Sequence, residues 1–176
     1  MIQLNEITIK PLEQKDATFI AKWLSDPKVL EYYEGRDNPF TINKVYEKFY
    51  KENDTVKRNL VLVNDSPVGY IQYYRLDPEG VKKYGYNDNE LIYGLDQFIG
   101  EVQHWGSGLG TKLVTIMKDF LFNVLNVDRI VMDPQAWNTR AIRCYEKCGF
   151  TKVKLLPKNE WHEGEYRDCW LIECTK

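Results

Sequence analysis

Three glycines alternate over five residues, Gly106, Gly108 and Gly110, and no other stretch constrains the chain so tightly. They sit in Leu91–Thr111, LIYGLDQFIGEVQHWGSGLGT. An apolar strand carrying one acid, Asp96, precedes them, and an amphipathic helix follows. A strand feeding a backbone-only turn into a helix N-terminus makes an anion cradle. Free N–H groups and the helix dipole converge there. The acid on the incoming strand places proton chemistry beside a bound phosphate.

The remaining pattern describes one mixed α+β domain over residues 1–176. Strands are expected at Glu6–Lys10, Asn59–Val63, Val68–Tyr74, Glu90–Ile99, Arg129–Asp133, Phe150–Leu156 and Asp168–Cys174. Helices are expected at Lys15–Leu24, Asp26–Tyr33 and Thr41–Tyr50, the last with Ile42, Val45, Tyr46 and Phe49 inward. Two more run from Leu109 to Val124 and from an Asn138 cap to Lys147, with Gly149 closing the second. Leu113, Met117, Phe120, Leu121 and Val124 form the stripe of the first of these two. Leu76–Asn89, with Pro78, Gly80 and Gly85, reads as a long functional loop.

Composition excludes several classes. A net charge of −2 gives no basic surface for nucleic acid. No window approaches the roughly 20 apolar residues of a membrane span, and the N-terminus has no leader-like pattern. A soluble, cytoplasmic protein is expected, monomer or homodimer. Cys144, Cys148, Cys169 and Cys174 lack the paired C-x-x-C spacing of a zinc site. Buried structural thiols are therefore expected, and no metal.

The glycine turn fits neither the dinucleotide fingerprint nor the Walker pattern, since its spacing is GxGxG and Gly110-Thr111-Lys112 is not Gly-Lys-Ser/Thr. It resembles the acetyl-CoA pyrophosphate turn of the GNAT N-acetyltransferases, Gln/Arg-x-x-Gly-x-Gly/Ala. Gln103-x-x-Gly106-x-Gly108 fits literally. Trp105-x-x-Gly108-x-Gly110 fits better, because it sets Leu113 to pack on the sheet, with Trp105 in place of the usual Arg or Gln. Asn138 through Phe150, NTRAIRCYEKCGF, is similar to the closing motif of that superfamily. Tyr93–Gly100, Met132-Asp133-Pro134 and Arg140–Tyr145 together resemble the aminoglycoside 6′-N-acetyltransferases. Trp23-Leu24, Val29–Tyr33, Gly69–Gln72, His162–Gly164 and Asp168-Cys169 extend that resemblance over nearly the whole chain.

This resemblance implies a GNAT fold, a mixed, mostly antiparallel sheet of about seven strands with helices on both faces and a splay between the fourth and fifth. It implies acetyl-CoA as cosubstrate and an aminoglycoside as acceptor. Trp105, Gly106, Ser107, Gly108, Gly110 and Thr111 would hold the pyrophosphate, and Asn138 with Ala141 the pantetheine arm. A backbone N–H near Phe98 or Ile99 would polarise the thioester carbonyl. Tyr145 would return a proton to the leaving sulfur, and Asp96 would orient and deprotonate the amine. Asp133 matches a second substrate-binding acid, and Tyr32, Tyr33, Gln72 and Tyr74 are candidate walls for sugar rings. Asp77, Glu79, Asp88 and Glu90 are further loop acids with no individual assignment. Two other readings share parts of this pattern: an acetyltransferase for a protein or other small-molecule amine, and a non-catalytic acyl-CoA sensor.

Overall fold

The computed structural model describes residues 1–52 and 55–176. Its strands are β1 (Ile2–Leu4), β2 (Ile7–Pro11), β3 (Val56–Val63), β4 (Ser66–Arg75), β5 (Ile92–Ile99), β6 (Arg129–Met132), β7 (Thr151–His162) and β8 (Glu165–Thr175). Its helices are α1 (Ala17–Trp23), α2 (Pro27–Tyr32), α3 (Ile42–Phe49), α4 (Pro78–Tyr84), α5 (Leu109–Asn123) and α6 (Thr139–Lys147). The strands form a mixed α+β sheet in the order β1-β2-β3-β4-β5-β6-β8-β7. β5 and β6 pair in parallel; β1/β2, β2/β3, β6/β8 and β7/β8 pair antiparallel. The sheet has eight strands against the expected seven or so, because the three-residue β1 pairs with β2. Three residues are too few to show a period in sequence.

The chain divides into two compact units, Met1–Gln72 with Gln97–Leu109, and Tyr73–Asp96 with Gly110–Lys176. In the first, buried residues of α1 to α3 (Ile20, Trp23, Leu30, Val45, Phe49) pack with Leu60, Tyr70 and Phe98 from three strands. The helix starts follow their sequence signals. Asp26 accepts from the Lys28 amide with Pro27 at the first helical position, and Thr41 accepts from the Lys44 amide. Only half of the stripe expected on α3 points inward. Val45 and Phe49 are buried, whereas Ile42 and Tyr46 are 39% and 41% exposed. With Val45 and Phe49 four apart on a two-turn helix, one narrow face is enough to meet the core. The β3–β4 turn places Asn64 and Asp65 at φ of 47° and 63°, the pair of left-handed residues a tight hairpin needs.

In the second unit, Val81, Ile92, Val131, Leu156, Cys169 and Leu171 make a separate core. β7 and β8 form a long hairpin whose turn, Glu163 and Gly164, again has two positive φ values. β7 runs on to His162, beyond the expected Leu156, because cross-strand pairing continues with bulges through Glu160, Trp161 and His162. On α5, Leu113, Met117 and Leu121 are buried as expected, but Val124 lies past the helix end and is 63% exposed. The expected loop at 76–89 contains α4 instead. Asp77 caps its start by accepting from the Gly80 amide, Pro78 occupies the first turn, and Gly85 ends it at φ 80°. Those are ordinary helix start and stop residues. They sit so close together that the turn chemistry hides the single short helix between them. Among the described residues no helix is long and apolar enough to cross a membrane.

Candidate active site

The second unit gathers the acids. Asp96 lies on β5, and its charge acts on the Tyr74 phenol at the end of β4. Asp133 follows β6 and accepts from Asn159 Nδ2 at 3.2 Å and from Tyr84 Oη at 3.4 Å. Asn159 Oδ1 in turn accepts from Lys83 Nζ at 2.8 Å, which ties α4 to β7. Burial raises the Asp133 carboxyl above its ordinary value, and the two hydrogen bonds only partly offset that. Burial, then the charge of Asp133, holds the Tyr84 phenol protonated well above its usual range. Tyr74 is shifted the same way, by burial first and then by the charges of Asp96 and Asp133. Two carboxylates therefore share one region of this unit, both acting on the Tyr74 phenol, and the Tyr84 phenol donates to Asp133.

Tyr145, on α6, is buried and meets Phe150 edge-on with ring centroids 6.3 Å apart. Burial raises its phenol far above the ordinary value, with Cys144 and Asp96 adding to the shift. It carries a proton throughout the neutral range. Asn138 caps α6 by accepting from the Ala141 amide at 3.3 Å, so these two residues hold each other. Cys144 Sγ lies 3.4 Å from Thr111 Oγ1, and Cys148 is buried. All four cysteines are free thiols, and burial pushes Cys169 up to about 11. Among the described residues no three His, Cys, Asp or Glu side chains group as a metal site requires.

The first unit holds the other expected residues. Tyr33 packs on Phe98 at 4.6 Å, and Tyr32 meets Trp105 edge-on at 5.7 Å. Trp105 donates from its indole nitrogen to the Ile99 carbonyl at 2.9 Å, so it fastens the end of β5 to the turn. Gln72 accepts from Tyr70 Oη at 2.6 Å.

The glycine turn is built as its pattern requires. Gly106 and Gly108 have φ of 74° and 82°, in the left-handed region that side chains disfavour. A Cβ added at either would meet no atom within 4 Å, so the turn presents bare backbone to open space. Ser107 is folded back, donating to the His104 carbonyl at 2.6 Å. α5 begins at Leu109, and the first N–H groups of any helix have no partner within it. This backbone fits a pyrophosphate.

Tyr84, Lys83 and Asn159 did not stand out in the sequence. α4 carries the first two, and its capping residues were the available signal. Nothing local marks Asn159, because its partners come from other elements.

Residues 13–157 match the acetyltransferase (GNAT) domain model. The chain is 30% identical over 151 residues to aminoglycoside N(6′)-acetyltransferase type 1 of Klebsiella pneumoniae, covering 84% of this chain and 75% of that protein. Its fold is similar to that of the aminoglycoside acetyltransferase AAC(6′)-Ib solved with ribostamycin and coenzyme A. The TM-score is 0.79 at 26% identity, over 98% of this chain and 94% of the other. A spermidine N-acetyltransferase from Vibrio cholerae shares the fold at a TM-score of 0.79 and 20% identity, over 97% and 95% of the two chains. A family model spanning most of the chain, a glycine turn opening α5 and an Asn-capped helix ending in Gly149-Phe150 agree: this chain belongs to the GNAT acetyltransferases.

Proposed function

We propose that this protein is a cytoplasmic aminoglycoside 6′-N-acetyltransferase, a single GNAT domain that inactivates the antibiotic by moving the acetyl group of acetyl-CoA to its 6′-amine. The observation that carries this reading is the pair of carboxylates Asp96 and Asp133 in one unit, both acting on the Tyr74 phenol, with Asp133 held by Tyr84 and Asn159. An acceptor with several ammonium groups on rigid rings matches two fixed acids and aromatic walls. The 30% identity to a 6′-acetyltransferase over most of the chain supports the same acceptor.

In this reading the turn at Gly106–Thr111 binds the cofactor pyrophosphate through backbone N–H groups, with Trp105 as a packing residue that fixes the turn. Asn138 and Ala141 meet the pantetheine arm at the start of α6. Asp96 orients the amine and accepts its proton, directly or through water. A backbone N–H at Phe98 or Ile99 meets the developing negative charge on the thioester oxygen. Tyr145 holds the proton returned to the departing sulfur. Its buried, protonated phenol suits that task. Tyr32, Tyr33 and Gln72 line the sugar rings, and Asp133 binds a second ammonium. Transfer is direct, within a ternary complex.

The test is incubation with acetyl-CoA and a panel of kanamycin, ribostamycin, spermidine and a peptide bearing a free N-terminus. Free CoA is detected and the acetylated nitrogen mapped. Release only with aminoglycosides, and modification at the 6′ nitrogen, is expected. A spermidine or peptide preference moves the protein to another acceptor class, and tight acetyl-CoA binding without transfer to any amine makes it a sensor.

The raised carboxyl of Asp133 gives a pH dependence. A carboxyl held above its usual value becomes protonated, and loses its attraction for an ammonium, earlier on acidification than an ordinary one does. KM for the aminoglycoside should rise as pH falls through that raised value, while KM for acetyl-CoA stays level. Asp133→Asn should start with a higher KM and lose this pH dependence. The folded state favours the protonated form, so this group's contribution to stability is full at low pH and is lost as pH rises through the raised value. Asp133→Asn should therefore be no less stable than the parent at neutral pH in a urea titration. A KM profile identical to the parent's would remove Asp133 from acceptor binding.

A further inference from the structure

Asn159 lies where β7 loses register with β8, between Leu156 and Glu160. In a regular strand Leu156, Lys158 and Glu160 would share one face. Here Leu156 is buried, Lys158 and Glu160 are exposed, and Asn159 between them is half-buried. The irregularity has moved the alternation by one residue and turned Asn159 inward, which is what bulges do. Lys158 has a φ of 46°, and its amide donates to Asp168 Oδ1 of β8 at 2.8 Å. The inward amide stands between opposite charges. Its Oδ1 accepts from Lys83 Nζ at 2.8 Å, and its Nδ2 donates to Asp133 Oδ2 at 3.2 Å. An ammonium only donates and a carboxylate only accepts, so the amide has one possible orientation. Tyr84 Oη donates to the same Oδ2 at 3.4 Å.

We propose that Asn159 is a positioning residue for acceptor binding: locked by Lys83, its amide holds the Asp133 carboxylate in the orientation that receives an ammonium of the aminoglycoside. The proposal rests on the reading of Asp133 as an acceptor-binding acid. A hydrogen bond donated to a carboxylate favours its charged form, so Asn159 opposes the burial that pushes this carboxyl toward protonation. Lys83 strengthens that donor, because a cation at the amide oxygen polarises the N–H bonds, and its charge favours the carboxylate directly as well. The other titratable groups acting with Asp133 are Tyr84 of α4, Tyr74 of β4, Tyr145 of α6 and Cys169 of β8, and Asp96 of β5 acts on the same three phenols. Burial keeps the phenols and the thiol protonated at neutral pH, so Lys83 is the cation of the group.

The experiment uses Asn159→Leu, similar in volume but unable to donate, and Lys83→Met, which removes the cation from an exposed side chain. With a 6′-amino aminoglycoside as acceptor, Asn159→Leu should raise its KM at neutral pH by about 2–12-fold, the scale of one hydrogen bond, with KM for acetyl-CoA unchanged. The rise of KM on acidification should begin at higher pH than in the parent. Lys83→Met should move the profile the same way by less. In an Asp133→Asn background neither substitution should raise KM further, because both act through the carboxylate already removed. A second readout needs no turnover. In protein labelled with carboxyl-13C aspartate, the Asp133 resonance, identified by its absence in Asp133→Asn, should titrate at higher pH in Asn159→Leu while the backbone amide spectrum is retained. Should Asn159→Leu disturb that spectrum, Lys83→Met carries both readouts. An unmoved titration, an unchanged KM, or a KM increase that persists in full in the double variant overturns the proposal. If the parent acetylates no aminoglycoside yet the titration moves, the acceptor assignment fails and the hold of Asn159 on Asp133 stands.

Discussion

Asp96→Asn should reduce kcat/KM for aminoglycoside acetylation by about 10²–10⁴-fold, the usual contribution of a placed general acid or base, while acetyl-CoA binds as tightly as before. In activation free energy that is about 3–5.5 kcal/mol. The substitution is isosteric, so the packing around position 96 on β5 stays intact. What disappears is the negative charge that, in the proposed reaction, draws an ammonium and takes its proton. The proposed acceptor is a primary amine, protonated at neutral pH, and only its neutral form attacks a thioester. The proposed cofactor turn at Gly106–Thr111 offers backbone and contains no atom of Asp96, so binding and chemistry should separate cleanly. Calorimetry with acetyl-CoA alone, beside steady-state turnover, measures the two halves. Turnover equal to the parent's would show that another base serves the amine.

Gly100→Ala should destabilise the protein by about 2–5 kcal/mol, an overpacked core combined with a strained charge-assisted hydrogen bond. A Cβ at position 100 would lie 2.2 Å from both Cγ and Cδ2 of Trp23. That indole cannot step aside. It is 1% exposed, stands edge-on to Phe98 at 6.1 Å, and donates from its ring nitrogen to Glu101 Oε1 at 2.8 Å. Gly100 is equally fixed, because its own amide donates to the Val68 carbonyl at 2.8 Å. Backbone and indole are both held, so the added methyl must break something. Urea titration followed by tryptophan fluorescence should show the midpoint fall and the native emission shift. Gly106→Ala is the control. Nothing lies within 4 Å of its added Cβ, so only the left-handed backbone penalty remains, about 1–2 kcal/mol. Equal midpoints for the two variants would remove steric conflict with Trp23 as the cause.

These two glycines show how unevenly the molecule was written into its sequence. Gly106 could be read directly: alternating glycines before a helix announce a backbone turn, and the structure places Gly106 and Gly108 at positive φ. Gly100 and Gly94 carried no such mark. Their reason is a ring from another element, Trp23 in one case and Tyr74 in the other, and one-dimensional pattern cannot register a neighbour from a distant part of the chain. The helix caps Asp26, Thr41 and Asn138 were legible because capping acts within three residues. α4 was missed although its caps are equally local, since Pro78, Gly80 and Gly85 also satisfy the rules for a loop.

The sequence by itself determined the mixed α+β class, the glycine turn that opens α5 and Asn138 at the start of α6. Periodicity, capping and turn chemistry are short-range forces that act between residues a few positions apart. Only the tertiary structure decided that Tyr84 and Asn159 surround Asp133, that the Tyr74 ring fills the space beside Gly94, and that Trp105 anchors the turn to Ile99. Each of these depends on which strand lies beside which, and on burial that changes how firmly a carboxyl or phenol holds its proton. Those properties belong to the packed sheet, where residues far apart in the chain share one volume from which water is largely excluded.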